Sequence, residues 1–153
     1  FPQGERENEF WLQVIKRQPV DVASALCIYT SSDHNAFSST LFEPLKAYWR
    51  KEAENSDIPG KDFELKKPEY EYRLPLEFFA AFKDPEDLPL LRSLLRHHGY
   101  IIQKGSIGDK HYTKQAFVIR MAAAEALKQR GETLPADLVL EVDLTPGAKK
   151  QAP

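Results

Sequence analysis

An α+β fold, predominantly helical with short strands and extended segments, is the class this sequence predicts. Three observations point there. Apolar residues recur at helical spacing in several stretches. Short β-branched or alternating runs lie between them. Eleven prolines in 153 residues keep much of the chain extended over something else. The length supplies a small single domain with extensions. With 42% hydrophobic and 29% charged residues the composition is that of an ordinary soluble chain, which excludes wholesale disorder and a membrane-embedded fold. No stretch approaches the roughly 20 apolar residues of a spanning helix, so no membrane insertion is expected. The chain begins at Phe1 and not at methionine, which leads us to expect a processed product or a fragment.

Residues 5 to 18 read as an amphipathic helix with Phe10, Trp11, Val14 and Ile15 on one side, acids at its start and Lys16 and Arg17 at its end. Pro19 stops it. Residues 20 to 30 suit a strand, with helix left open, and Ser31 to Asn35 form a loop. A second helix is expected from about 38 to 54, carrying Leu41, Phe42, Leu45, Tyr48 and Trp49 on one face. Residues 55 to 67 form a polar connector. Glu69 to Leu74 alternate weakly, as in an edge strand or an extended crossing, and residues 76 to 82 form a short helix. Asp87 is the expected cap of a helix reaching His98, striped by Leu88, Leu91, Leu94 and Leu95, with Gly99 as the C′ residue that ends it. Residues 100 to 103 run extended and 104 to 109 form a glycine-punctuated turn. Thr113 is the expected cap of a helix to about Arg130, ended by Gly131. Leu138, Leu140, Val142 and Leu144 mark a final strand. The expected division is 1–83, 84–131 and 132–153, the last holding this strand and the tail.

Charge is uneven. The net charge is −2, so the chain as a whole is no basic nucleic-acid glove. Yet residues 92 to 130 hold eight Lys or Arg against Asp109 and Glu125, and three of the four histidines (His97, His98 and His111) lie there too. That segment is +6 and the remainder −8, the pattern of one polyanion-facing surface on a protein-facing body. The candidate RNA-binding residues are Arg92, Arg96, His97, Lys104, Lys110, His111, Lys114 and Arg120. Arg92 and Arg96 share a helical face at i, i+4, and Lys110 and Lys114 bracket the start of the next helix, so these five (with Lys104) should share one surface.

Other chemistry is weaker. His97, His98 and His111 lack a carboxylate at zinc-ligand spacing, and a helix end that favours cations explains the pair as well. Gly105 to Lys110 lacks the spacing of a phosphate-binding P-loop. Ser31, Asp33 and His34 have no nucleophile elbow around them. Cys27 lies in an apolar run and reads as a buried hydrophobe; alone, it excludes an intramolecular disulfide. No metal, no cofactor and no small-molecule substrate are expected.

The region from Asp87 to about Leu127 carries a further pattern. An acid opens a helix at Asp87, Leu91-Arg92 forms an apolar–basic pair within it, and Leu95 is a late apolar position. Gly99 is followed by extended Tyr100-Ile101-Ile102, and Gly108 stands nine residues after it. Lys114-Gln115 then begins a helix containing Ala122 and Ala123. This resembles the small-subunit ribosomal protein family numbered eighteen in the bacterial scheme. The departures are Gly105-Ser106-Ile107-Gly108 where the family has Arg-x-Thr-Gly, and apolar Phe117 to Ile119 and Met121 to Ala124 where it is basic. The resemblance implies a divergent mitochondrial member, located in the matrix after leader removal. It implies a non-catalytic structural constituent of the ribosome that packs on ribosomal RNA and on other ribosomal proteins. Residues 84–131 would be its helix-turn-helix core and 1–83 a protein-binding extension. Two alternatives stand beside it: an accessory subunit of a respiratory complex or ATP synthase, and a small hydrolase using His34 or His111.

Overall fold

The computed structural model describes residues 39–57, 60–82 and 84–146. The expected helix at 5 to 18, the run at 20 to 30, the loop with His34, and the tail beyond Pro146 lie outside these residues. Helix α1 (Ser39–Asp57) runs three residues beyond its expected end. Trp49 and Ala53 are buried on one face of it, together with Lys46, a spacing of three and four that repeats one helical face. Tyr48 meets the edge of the Trp49 ring, with centroids 5.3 Å apart.

Strand β1 (Phe63–Glu64) lies inside the expected polar connector. Helix α2 (Glu69–Phe82) corrects the reading of 69 to 74 as a strand or crossing: one helix passes through Pro75. Glu69 and Glu71 lie in its first turn, where they complement the dipole. Tyr72, Leu76, Phe79 and Ala80 are buried as one stripe, and that burial outweighs the hydrogen bond Pro75 cannot make. A 3₁₀ turn (Pro85–Asp87) leads into α3 (Leu88–Leu94). Leu91, Leu94 and Leu95 are buried as expected, with Leu88 half-buried and Leu90 added to the face.

Asp87 is not the side-chain cap of α3. Asp84 caps the preceding turn by accepting the Glu86 N–H at 3.0 Å, and Asp87 instead binds Lys46 at 2.9 Å. Helix α3 also stops well before His98. Gly99 is no C′ residue but opens β2 (Gly99–Ile107). It is needed there for room: a Cβ would lie 2.7 Å from Leu65 Cδ2 and 3.0 Å from the His97 ring.

The largest departure follows. Strand β3 (Lys110–Ala116) returns antiparallel to β2 through the two residues Gly108 and Asp109. Gly108 takes φ +61°, the left-handed backbone a tight hairpin turn requires. Thr113 and Lys114 are therefore strand residues, and α4 (Val118–Gln129) begins five residues after the expected cap. Its end is as read. Gly131 at φ +78° donates to the Lys128 carbonyl at 2.9 Å, and Glu132 N–H reaches back to the Leu127 carbonyl at 2.9 Å, a Schellman closure. Strand β4 (Glu141–Asp143) is shorter than expected.

The sheet order is β1-β2-β3-β4, with β1 parallel to β2 and the other pairs antiparallel. Ile101 and Ala116 turn one sheet face to the helices. Helix α4 is the central element: Val118, Ile119, Ala122, Ala123, Ala124, Ala126 and Leu127 are all buried. Its alanines allow α2 and α3 to pack closely against it. The boundary at 83/84 does not separate an extension from a core, because Trp49 of α1 and Leu76 and Phe79 of α2 enter the same apolar cluster as α3 and α4. Among the described residues, no helix is long and apolar enough to cross a membrane.

Candidate functional site

The eight basic candidates do not share one surface. Side chains alternate across a strand, and the register pairs Lys104 with Thr113 and Ser106 with His111. Lys104 and His111 therefore sit on one face of the hairpin. Lys110 and Lys114 sit on the other, with Tyr112. Arg92, Arg96 and Arg120 gather elsewhere, at a pocket beside the end of α3.

His97 must be withdrawn as an RNA contact. It is fully buried. Gly99 N–H donates to its Nδ1 at 3.0 Å. Because that nitrogen accepts, Nε2 carries the proton and donates to Glu52 Oε1 at 2.9 Å. His97 thus joins α1 to the start of β2, and Phe63 meets its ring edge-on at 5.7 Å. His98, the neighbour, stays nearer the surface against Asp62 at 3.0 Å.

Arg120 is likewise committed. Its Nε donates to the His97 carbonyl at 2.6 Å and its Nη1 to the Val139 carbonyl at 3.0 Å. Its guanidinium lies 3.9 Å from the Phe117 ring centroid, a cation–π contact. Asp62 lies 4.0 Å away. Burial pulls the Arg120 pKa below its usual value, and Asp62 opposes that. Arg120 holds together three segments distant in sequence and has little left for a phosphate.

Arg92 pairs with Glu132 at 3.0 Å. Lys114 pairs with Glu141 at 3.4 Å and lies over the Tyr112 ring at 5.4 Å. Asp143 stands opposite Lys114 in the register; the Thr145 hydroxyl and N–H hold its carboxylate pKa below the usual range, with a smaller contribution from Lys114. Arg130 donates to the carbonyls of Phe79 and Asp84. Four candidates remain exposed with no side-chain hydrogen bond or ion pair among the described residues: Arg96 at the pocket, and Lys104, Lys110 and His111 on the hairpin. Ile107 at the hairpin tip is 77% exposed.

A second cluster escaped the sequence reading. Lys46 is buried between Asp84 at 3.0 Å and Asp87 at 2.9 Å. Burial opposes its charge, but the hydrogen bonds to Asp87 and Asp84 prevail and raise its pKa. Nothing in a lysine on a striped helix signals this, because its partners lie about 40 residues away. Among the described residues, no group of three or more His, Cys, Asp or Glu could hold a metal ion.

The fold and these groups define a small α+β domain in which Lys46, His97 and Arg120 link separate elements. Comparison with protein-family models, curated proteins and solved structures finds no match to this chain.

Proposed function

We propose that this chain is a non-catalytic structural subunit of a large assembly in which its neighbours are chiefly proteins. The accessory subunits of mitochondrial respiratory complexes or ATP synthase are the narrower form of that reading. The observation that carries it is the fate of the basic segment. Arg92, Lys114, Arg120 and Arg130 are turned onto the chain's own carboxylates and carbonyls, and the rest point to different sides. A single basic surface was the condition for an RNA-facing segment, and without it the protein-facing assembly moves ahead. Strand β4 adds support. It pairs only with β3 among the described residues, and Val139, Val142 and Leu144 are exposed on and beside it. An edge unpaired among the described residues and carrying exposed apolar side chains suits a protein neighbour.

The ribosomal reading remains second, on one observation: Lys104, Lys110 and His111 are exposed on the hairpin and have no side-chain partner among the described residues. A two-sided basic prong can reach phosphates on either side of it. The resemblance to the ribosomal family is weakened where Lys114 and Gln115, matched to the start of its helix, form part of β3.

Sedimentation of the tagged full chain from mitochondrial extracts, with and without ribonuclease, decides between the two. A large particle that survives ribonuclease supports the first reading. A particle that collapses supports the second. Migration as a free chain of 17.5 kDa overturns both, and absence from mitochondria overturns the mitochondrial form of each.

A further inference from the structure

The pocket beside α3 has a volume of about 480 Å³, within the range of small-ligand sites. Its floor and walls include Leu95, Pro135, Leu138 and Val139. Arg92, Arg96 and Arg120 all reach it. Two of these guanidiniums are engaged, Arg92 with Glu132 and Arg120 with two carbonyls. Arg96 is exposed and has no partner among the described residues, so all five of its N–H donors are free. An uncommitted planar fork beside apolar walls is a receptor for a planar anion on an apolar body.

The surrounding charge selects which anion. Asp137 also lines the pocket, Glu132 lies on Arg92, and Asp62 is 4.0 Å from Arg120. Three arginines against three carboxylates leave the neighbourhood about neutral. A doubly charged phosphate would meet Asp137 with little net attraction, whereas a singly charged carboxylate needs only the free fork of Arg96. We propose that this pocket binds a carboxylate carried on an apolar body, with Arg96 holding the carboxylate and Leu95, Leu138 and Val139 the apolar part. Two sources share that chemistry: a free apolar acid, and the C-terminal carboxylate of a partner chain ending in an apolar residue. The proposal does not rest on the assembly reading.

The test titrates the ¹⁵N-labelled full chain with octanoate, octanol and octylamine at fixed ionic strength. Octanoate should saturate, shifting the amides of Leu95, Arg96, Leu138 and Val139. Octanol should bind about tenfold more weakly or worse, the loss of one charge-assisted hydrogen bond. Arg96→Gln should weaken octanoate to the level of octanol and leave the unfolding midpoint in place, because the side chain has no partner to lose. Asp137→Asn should tighten octanoate. Equal binding of octanoate and octanol, an unchanged affinity in Arg96→Gln, or no saturation at these amides overturns the site. A leucine-ended pentapeptide and its amide then separate the sources. A free-acid peptide binding tighter than both its amide and octanoate assigns the site to a chain terminus; the reverse order assigns it to a small acid.

Discussion

Lys46 is a buried cation beside the apolar core, and among the described residues Asp84 and Asp87 meet its charge. Removing one partner of a buried pair leaves the other charged and desolvated. Lys46→Met should therefore cost about 3 to 5 kcal/mol, and adding Asp87→Leu should restore much of it; denaturant midpoints of the single and double variants measure this. The pH dependence follows from the two shifts. The Asp84 pKa is lowered, first by the Glu86 N–H and then by Lys46, so its contribution is complete above about pH 5 and is lost as pH falls through the lowered value. The Lys46 pKa is raised, so its contribution holds below about 10.4 and is lost as pH rises through the folded value. The stability difference between wild type and Asp84→Asn should be constant from about pH 5 to 9 and shrink as pH falls below the ordinary carboxylate range. Gly99 makes a second test at this scale. Gly99→Ala drives a methyl at the His97 ring, which two hydrogen bonds hold in place, and should cost about 1 to 3 kcal/mol. Gly105→Ala meets first the outer part of the Tyr112 ring, a half-buried side chain at the surface of the hairpin, and should cost less. Neither His97 nor Lys46 was legible in sequence. His97 and His98 are identical neighbours, and only the placement of Glu52 and Asp62 makes one a buried link and the other a surface group.

Helix ends and apolar stripes were the most legible elements. The leucine stripe of α3 and the Gly131 closure of α4 depend on contacts within one turn, which spacing reports directly. Gly131→Ala must place a Cβ in left-handed backbone with open space around it, and should cost about 1 kcal/mol in thermal unfolding. Leu91→Ala should cost about 2 to 5 kcal/mol at its fully buried position. Arg92→Ala, an exposed ion pair, should cost about 1 kcal/mol or less. Helix α2 and the hairpin were misread for opposite reasons. The alternation of Glu69 to Leu74 imitates a strand, and Pro75 imitates a break. The stripe at Tyr72, Leu76, Phe79 and Ala80 becomes visible only if the two halves are joined across the proline. In the hairpin, Gly108-Asp109 is a two-residue turn signal. The preceding glycine at 105 widened it to six residues, and the alanines after Phe117 drew the helix start backward over β3.

At the scale of the whole molecule, the exposed apolar residues of the β4 edge predict self-association of the isolated chain. Val142→Lys with Leu144→Lys should shift it toward monomer in sedimentation without altering the core, since both side chains are exposed. RNA affinity separates the two functional readings. Under the protein-facing reading the full chain binds RNA only weakly at physiological salt; under the ribosomal one, each of Lys104→Ala and Lys110→Ala lowers the salt slope by roughly 1. By itself, the sequence determined the α+β class, the buried stripe of α3, the end of α4 and the excess of basic residues between 92 and 130. These follow from composition and from neighbours within a turn or two. Only the tertiary structure decided which histidine is buried, that α1 and α2 belong to the core, and that the basic residues divide between a pocket, a hairpin and the chain's own carboxylates. Direction in space depends on strand register and on partners 20 to 50 residues away, and formal charge in a sequence carries neither.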